Sequence, residues 1–186
     1  INSIDEINNY FTANLTNKYN RVRIIGDIHG CYTALQQAIT PWDEKTLYIF
    51  CGDYLERGIE NKEMMYEMMR LSTLPNTIML EGNHERHIAN FAFHTNLDRS
   101  KRFMKDVVAP IVKDMTKKEV ESLQRELRLF YKSLRQCYPF NFHGKKYLVS
   151  HGGLSYVPNM TFIATSTFIN GFGAYETNIA NIYDTN

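Results

Sequence analysis

The sequence predicts an α/β domain on a parallel sheet. Three short apolar runs each end on a glycine followed by Asp or Asn, each is followed by a stretch at helical spacing, and strand and helix alternate through the first half. Val22, Ile24 and Ile25 form the first run and lead into Gly26-Asp27-Ile28-His29-Gly30. Tyr32, Leu35 and Ile39 mark a helix that Pro41 stops. Leu47, Tyr48, Ile49, Phe50 and Cys51 form the second strand, ending at Gly52-Asp53, and a helix is expected over 61–71. The third round is a strand over 77–80, then Glu81-Gly82-Asn83-His84-Glu85 opening another helix. In an open parallel sheet ligands sit beyond the carboxyl ends of the strands, so these motifs are expected to meet.

The flanking regions read less regularly. Ser3-Ile4-Asp5-Glu6 is a capping box, and Ile4, Ile7, Tyr10, Phe11 and Leu15 follow at helical spacing, which predicts an N-terminal helix within 1–20. Residues 98–136 read as a helical insertion or cap, with Thr116-Lys117-Lys118-Glu119 as a second capping box. Phe140-Asn141-Phe142, a His143-Gly144 turn and residues 146–150 predict a hairpin that delivers His151-Gly152-Gly153. No element is predicted from Tyr156 onward.

The chain has 186 residues, 44% hydrophobic and 22% charged, enough for one domain spanning 1–186 with its own core. A net charge of +1 with interspersed signs lacks the basic footprint of a dedicated nucleic-acid binder, leaving nucleic acid only as a substrate. Cys31, Cys51 and Cys137 are scattered and odd in number, which suits free thiols and a cytoplasmic setting. No apolar run reaches the roughly 18 residues that suggest a membrane span.

Asp27 and His29, two apart between glycines, offer a carboxylate and an imidazole to one cation. Asp53 has two oxygens to bridge that cation to a second, and Asn83 and His151 would complete the second site. Such oxygen and imidazole ligands suit Mn, Fe or Zn. The planar fork of Arg57 fits the oxygens of an oxyanion, and His84 beside Asn83 is placed to move a proton. The methionines at 64, 65, 68 and 69 read as a core stripe, and His87, His94 and His143 as packed or solvated residues.

Gly-Asp-Ile-His-Gly, Gly-Asp with Arg-Gly four residues on, and Gly-Asn-His-Glu, in this order, resemble the signature of calcineurin-like metallophosphoesterases, with the Arg-Gly and the Glu resembling the phosphoprotein phosphatase branch and its bacterial and phage members. The resemblance implies a layered α/β/β/α fold and two divalent metals, manganese first among them. It makes Asp27 and His29 ligands of one metal, Asp53 the bridge, Asn83 and His151 ligands of the other, Arg57 the phosphate clamp and His84 the acid. It implies hydrolysis by metal-bound hydroxide of a phosphoprotein or small phosphorylated metabolite. The alternatives are a nucleotide or RNA-end phosphoesterase and a single-metal binding module without turnover.

Two departures stand out. Glu56 occupies the place of the family's supporting Asp, so an extra methylene must be absorbed and a reduced rate is expected. No histidine follows His151, where the family supplies one more ligand, so the sequence is expected to be part of a longer protein, with an additional domain allowed downstream of Asn186.

Overall fold

β-branched and aromatic residues dominate β1 (Arg21–Ile25) and β2 (Thr46–Phe50), and with β3 (Thr77–Met79) they pair in parallel in the order β1-β2-β3. The computed structural model describes residues 13–154 and 164–171. Val22 lies opposite Leu47 and Ile24 opposite Ile49, while Tyr48 faces Thr77 and Phe50 faces Met79. Parallel neighbours need crossovers, and α1 (Tyr32–Ile39) and α2 (Asn61–Ser72) supply them. α3 (Glu85–Phe93) follows β3. Every strand of this sheet therefore ends on the same edge.

β2 is buried on both faces. Tyr48 and Phe50 join Leu35, Ile39, Met64, Met65 and Met68 in the larger core, so the methionine stripe is packing. Leu47, Ile49 and Cys51 pack on the opposite side against Phe140 and Val149. At about 1.5–3 kcal/mol for each large side chain buried, this central strand anchors the two loops that flank it.

The second layer is the hairpin of β4 (Cys137–Phe142) and β5 (Lys145–Ser150). His143 (φ 48°) and Gly144 (φ 75°) form its turn, the two consecutive positive φ angles that match the twist of a hairpin. Pleating sends Phe140 and Val149 inward and Cys137 and Leu148 outward, where they meet Leu154 and Phe168. Phe168 belongs to α5 (Thr165–Asn170), a helix the sequence did not reveal. The order is helices, parallel sheet, hairpin, helix, which is the layered α/β/β/α arrangement.

One expected element is corrected. The described end of the N-terminal segment is extended rather than helical: Leu15 donates to Asn141 O at 2.9 Å and Asn141 donates to Ala13 O at 2.8 Å. Leu15 and Tyr19 then enter the inter-sheet core. The helix expected upstream falls on residues 1–12, outside the described residues. The stretch 98–136 is helical in two parts: 97–112 runs without a break through 3₁₀, α and π turns, with the π-turn over Met104–Val108 closed by Ala109 N–H on Met104 O. Pro110 has no N–H to continue a regular ladder there. α4 (Lys117–Ser133) begins at the Thr116/Glu119 capping box and buries Leu123, Leu127 and Phe130. Arg135 is already extended and bridges Leu80. Among the described residues no helix is long and apolar enough to cross a membrane.

Candidate metal centre

Hydrogen bonds between backbones join the loops at the strand ends before any side chain acts. Asp53 O accepts from the N–H groups of His29 (2.8 Å) and Ile28 (3.2 Å), Gly30 N–H donates to Tyr54 O, and Gly58 N–H returns to His29 O. The path demands left-handed backbone at His29 (φ 45°), Asp53 (φ 53°), Glu56 (φ 75°) and Arg57 (φ 61°). Non-glycine residues reach that region at a cost of roughly 1–2 kcal/mol each, so this strain sits where the motifs meet.

Close approach of the β2 and β3 loops needs glycine. A Cβ on Gly82 would lie 2.6 Å from Asp53 N and 2.8 Å from Glu85 Oε2, and one on Gly52 would lie 2.7 Å from Gly82 Cα. With both side chains absent, Asp53 comes to rest at the centre of the site, 3% exposed.

Asp53 divides its two oxygens. Oδ2 lies 3.6 Å from His29 Nε2 and 3.8 Å from His84 Nε2. Oδ1 lies 3.6 Å from His151 Nε2 and accepts the backbone N–H of His84 at 3.0 Å. Asp27, half-exposed, reaches within 3.9 Å of His29 Nε2 and 3.8 Å of His151 Nδ1. Asn83 Oδ1 is 3.0 Å from His151 Nε2. All five sequence-predicted ligands are thus brought together.

The two imidazoles are tethered alike. His29 Nδ1 donates to Leu55 O at 3.1 Å and His151 Nδ1 to Cys51 O at 2.9 Å, which leaves each Nε2 as a lone pair turned toward Asp53. An Nδ1–H held by a backbone carbonyl is the usual support of a metal-binding histidine. His29 Nε2 is buried without a hydrogen-bond partner, and the lone pair of His151 Nε2 faces the Asn83 oxygen. Acceptors crowded on acceptors are unfavourable until a cation lies among them, so the donor set fits divalent metals.

On the other side of Asp53, His84 Nδ1 pairs with the Glu56 carboxylate, and Arg57 Nη2 stands 3.5 Å from His84 Nε2. Glu56 therefore reaches the histidine despite its longer side chain, from left-handed backbone whose N–H donates to Asn61 Oδ1. Glu56, Arg57, Gly58, Asn61 and His84 line a cleft of about 490 Å³ that Arg102, Asp106 and Val107 close from the 97–112 segment.

Sequence reasoning took Glu85 only as part of a motif, but it holds the site together. Its fully buried carboxylate accepts from Asp53 N–H (2.8 Å), Tyr54 N–H (3.1 Å) and Gly82 N–H (2.7 Å), tying the β2 loop to the β3 loop. Burial pushes this carboxyl up to about 8, with the Asp53 charge adding to the rise and the three N–H donors opposing it. A carboxylate heading a helix directly after an Asn-His pair was the available signal. Burial, reinforced by the Asp27 charge, lifts the Cys51 thiol to about 11 and keeps it inert. Cys31 is exposed. His87 bonds Ser100 and stacks on Phe103 as a packed residue, and His94 is exposed and bonds Gln124.

Known proteins share parts of this chain. Serine/threonine-protein phosphatase 2 of Salmonella typhimurium is 38% identical over 80 residues, which are 41% of this chain and 34% of that protein. The symmetrical bis(5'-nucleosyl)-tetraphosphatase of Baumannia cicadellinicola is 32% identical over 136 residues, 70% of this chain and 41% of that protein. The chain thus spans well under half the length of these curated relatives. A solved serine/threonine phosphatase from Saccharomyces cerevisiae, described as similar to human phosphatase PP5, aligns with 97% of this chain and 56% of its own, at 21% identity and a TM-score of 0.48. The family model for calcineurin-like phosphoesterases matches residues 20–181, and the chain belongs to that family.

Proposed function

We propose that the chain is a metal-dependent phosphoesterase, and most specifically a phosphomonoesterase for phosphoproteins or small phosphorylated substrates. The observation that carries this reading is the set of acceptors around Asp53, with His29 Nε2 buried and unpartnered among them. Asp27 and His29 would hold one divalent ion, Asn83 and His151 a second, and Asp53 both, with manganese preferred over iron or zinc. A bound pair of this kind acidifies a water and neutralises charge on a phosphoryl group. Arg57 grips nonbridging oxygens through its fork. His84, oriented by Glu56, gives a proton from Nε2 to the leaving oxygen. The free thiols favour a cytoplasmic setting.

Two metals per chain by elemental analysis, together with manganese-dependent hydrolysis of an aryl phosphate, are expected. One metal without turnover would replace the enzyme reading with a single-metal binding module, and no metal without turnover would leave an incomplete or degenerate phosphoesterase. His84→Ala separates the proton donor from the metal ligands. Its loss in kcat/KM should be about 10²–10⁴-fold on alkyl phosphates, whose leaving groups need a proton, and much smaller on p-nitrophenyl phosphate. Equal losses on both would remove His84 from that role.

A second reading, hydrolysis of nucleotide or RNA-end phosphates, draws support from the likeness to the nucleosyl tetraphosphatase, which extends over more of this chain than that to the protein phosphatase. Comparing diadenosine tetraphosphate with a phosphopeptide as substrates decides between them.

A further inference from the structure

The cleft beside His84 contains a second guanidinium that the proposed chemistry leaves unused. Arg102 and Asp106 lie one turn apart on the 97–112 segment and face the same cleft as Arg57 and His84. The backbone beneath them is fixed, since Phe103, Val107, Val108 and Ile111 are buried. The side chain is not: Arg102 is 89% exposed, and its Nε donates to Asp106 Oδ2 at a long 3.4 Å, with Asp106 itself 52% exposed. An exposed pair of this kind holds weakly, so a better anion can displace the aspartate. π-turns such as Met104–Val108 recur at functional sites.

Arg57 stands against His84 and is already assigned, in the proposed function, to the phosphoryl group at the metal centre. A second arginine lining the same cleft, from a different segment of the chain, suits a second anionic group on the same substrate. At about 490 Å³ the cleft is in the range of roughly 300–1,000 Å³ that holds small molecules, which favours a compact ligand over a protein surface. We infer that Arg102 is a specificity-determining residue that binds the second phosphoryl group of a small diphosphate or polyphosphate substrate, with Asp106 competing for the same guanidinium. The inference rests on the phosphoesterase reading.

Its test is calorimetric titration of the full chain, with manganese held in excess, using methylphosphonate and methylenediphosphonate as nonhydrolysable probes with one and two phosphonate groups. The two-group probe is expected to bind about tenfold more tightly than the one-group probe, the scale of one charge-assisted contact. Arg102→Ala should erase that advantage and leave methylphosphonate affinity unchanged, while Asp106→Asn should enlarge it. Methylphosphonate binding with no two-group advantage, or with one that survives Arg102→Ala, overturns the inference and spares the phosphoesterase reading. Binding of neither probe, together with absent aryl phosphate turnover, overturns both.

Discussion

Asp53→Asn is expected to lower manganese-dependent turnover by on the order of 10³-fold or more, because it removes the group that joins the two halves of the proposed centre. The substitution is conservative in shape. Its amide oxygen can still accept the His84 N–H that Asp53 Oδ1 accepts at 3.0 Å, so the loop should stay in place. What disappears is negative charge within 3.6 Å of both His29 Nε2 and His151 Nε2, and with it one of the two anionic oxygens that address separate cations. Metal content should fall in parallel, and circular dichroism should be unchanged. A variant that kept full activity and two metals would exclude Asp53 as the bridge.

Glu85→Ala should have the largest effect on stability. Truncation leaves the N–H groups of Asp53, Tyr54 and Gly82 buried without their acceptor, and each such loss costs about 1–3 kcal/mol. The variant also escapes the desolvation of a buried carboxyl, the same cost that pushes Glu85 up to about 8, so the net loss is smaller than the sum. We expect about 3 kcal/mol, read as a lower midpoint in urea unfolding at unchanged slope. Glu85→Gln should lose less, because one oxygen remains to accept the bonds of Asp53 and Gly82 while its NH₂ meets the Tyr54 donor unfavourably. An alanine variant within 1 kcal/mol of the parent would show that water or a shifted loop replaces those bonds.

These two residues illustrate what the sequence made legible. Asp53 was readable because an apolar run ending in Gly-Asp marks a strand end, and parallel topology brings strand ends together. The same logic pointed to Asp27, His29 and Asn83, while His151 came with the hairpin that followed from His143-Gly144 between two aromatic and aliphatic runs. Glu85 was visible as a carboxylate heading a helix after Asn-His, but its role was not, because its partners are backbone amides that any sequence would supply. Residues 13–15 misled for a different reason: the helical spacing from Ile4 to Leu15 does not encode the backbone pairing with β4 at Asn141 that captures the segment. α5 has six residues and one buried anchor, Phe168, too few to establish a period. In the 97–112 segment, a single proline interrupts a pattern otherwise suited to a regular helix.

The last proposed ligand to be made is also the one held by the most distant chain. His151 meets Asn83 across 68 positions, and its neighbour Gly152 donates to Phe168 O at 2.7 Å, so α5 pins the end of the hairpin. On a ribosome, which releases the chain from its N-terminus, Asp27, His29, Asp53 and Asn83 emerge with the parallel sheet well before His151 exists. Under the proposed assignment, the residues that would hold the first cation are all present in the nascent sheet, whereas those that would hold the second are complete only with the hairpin and α5.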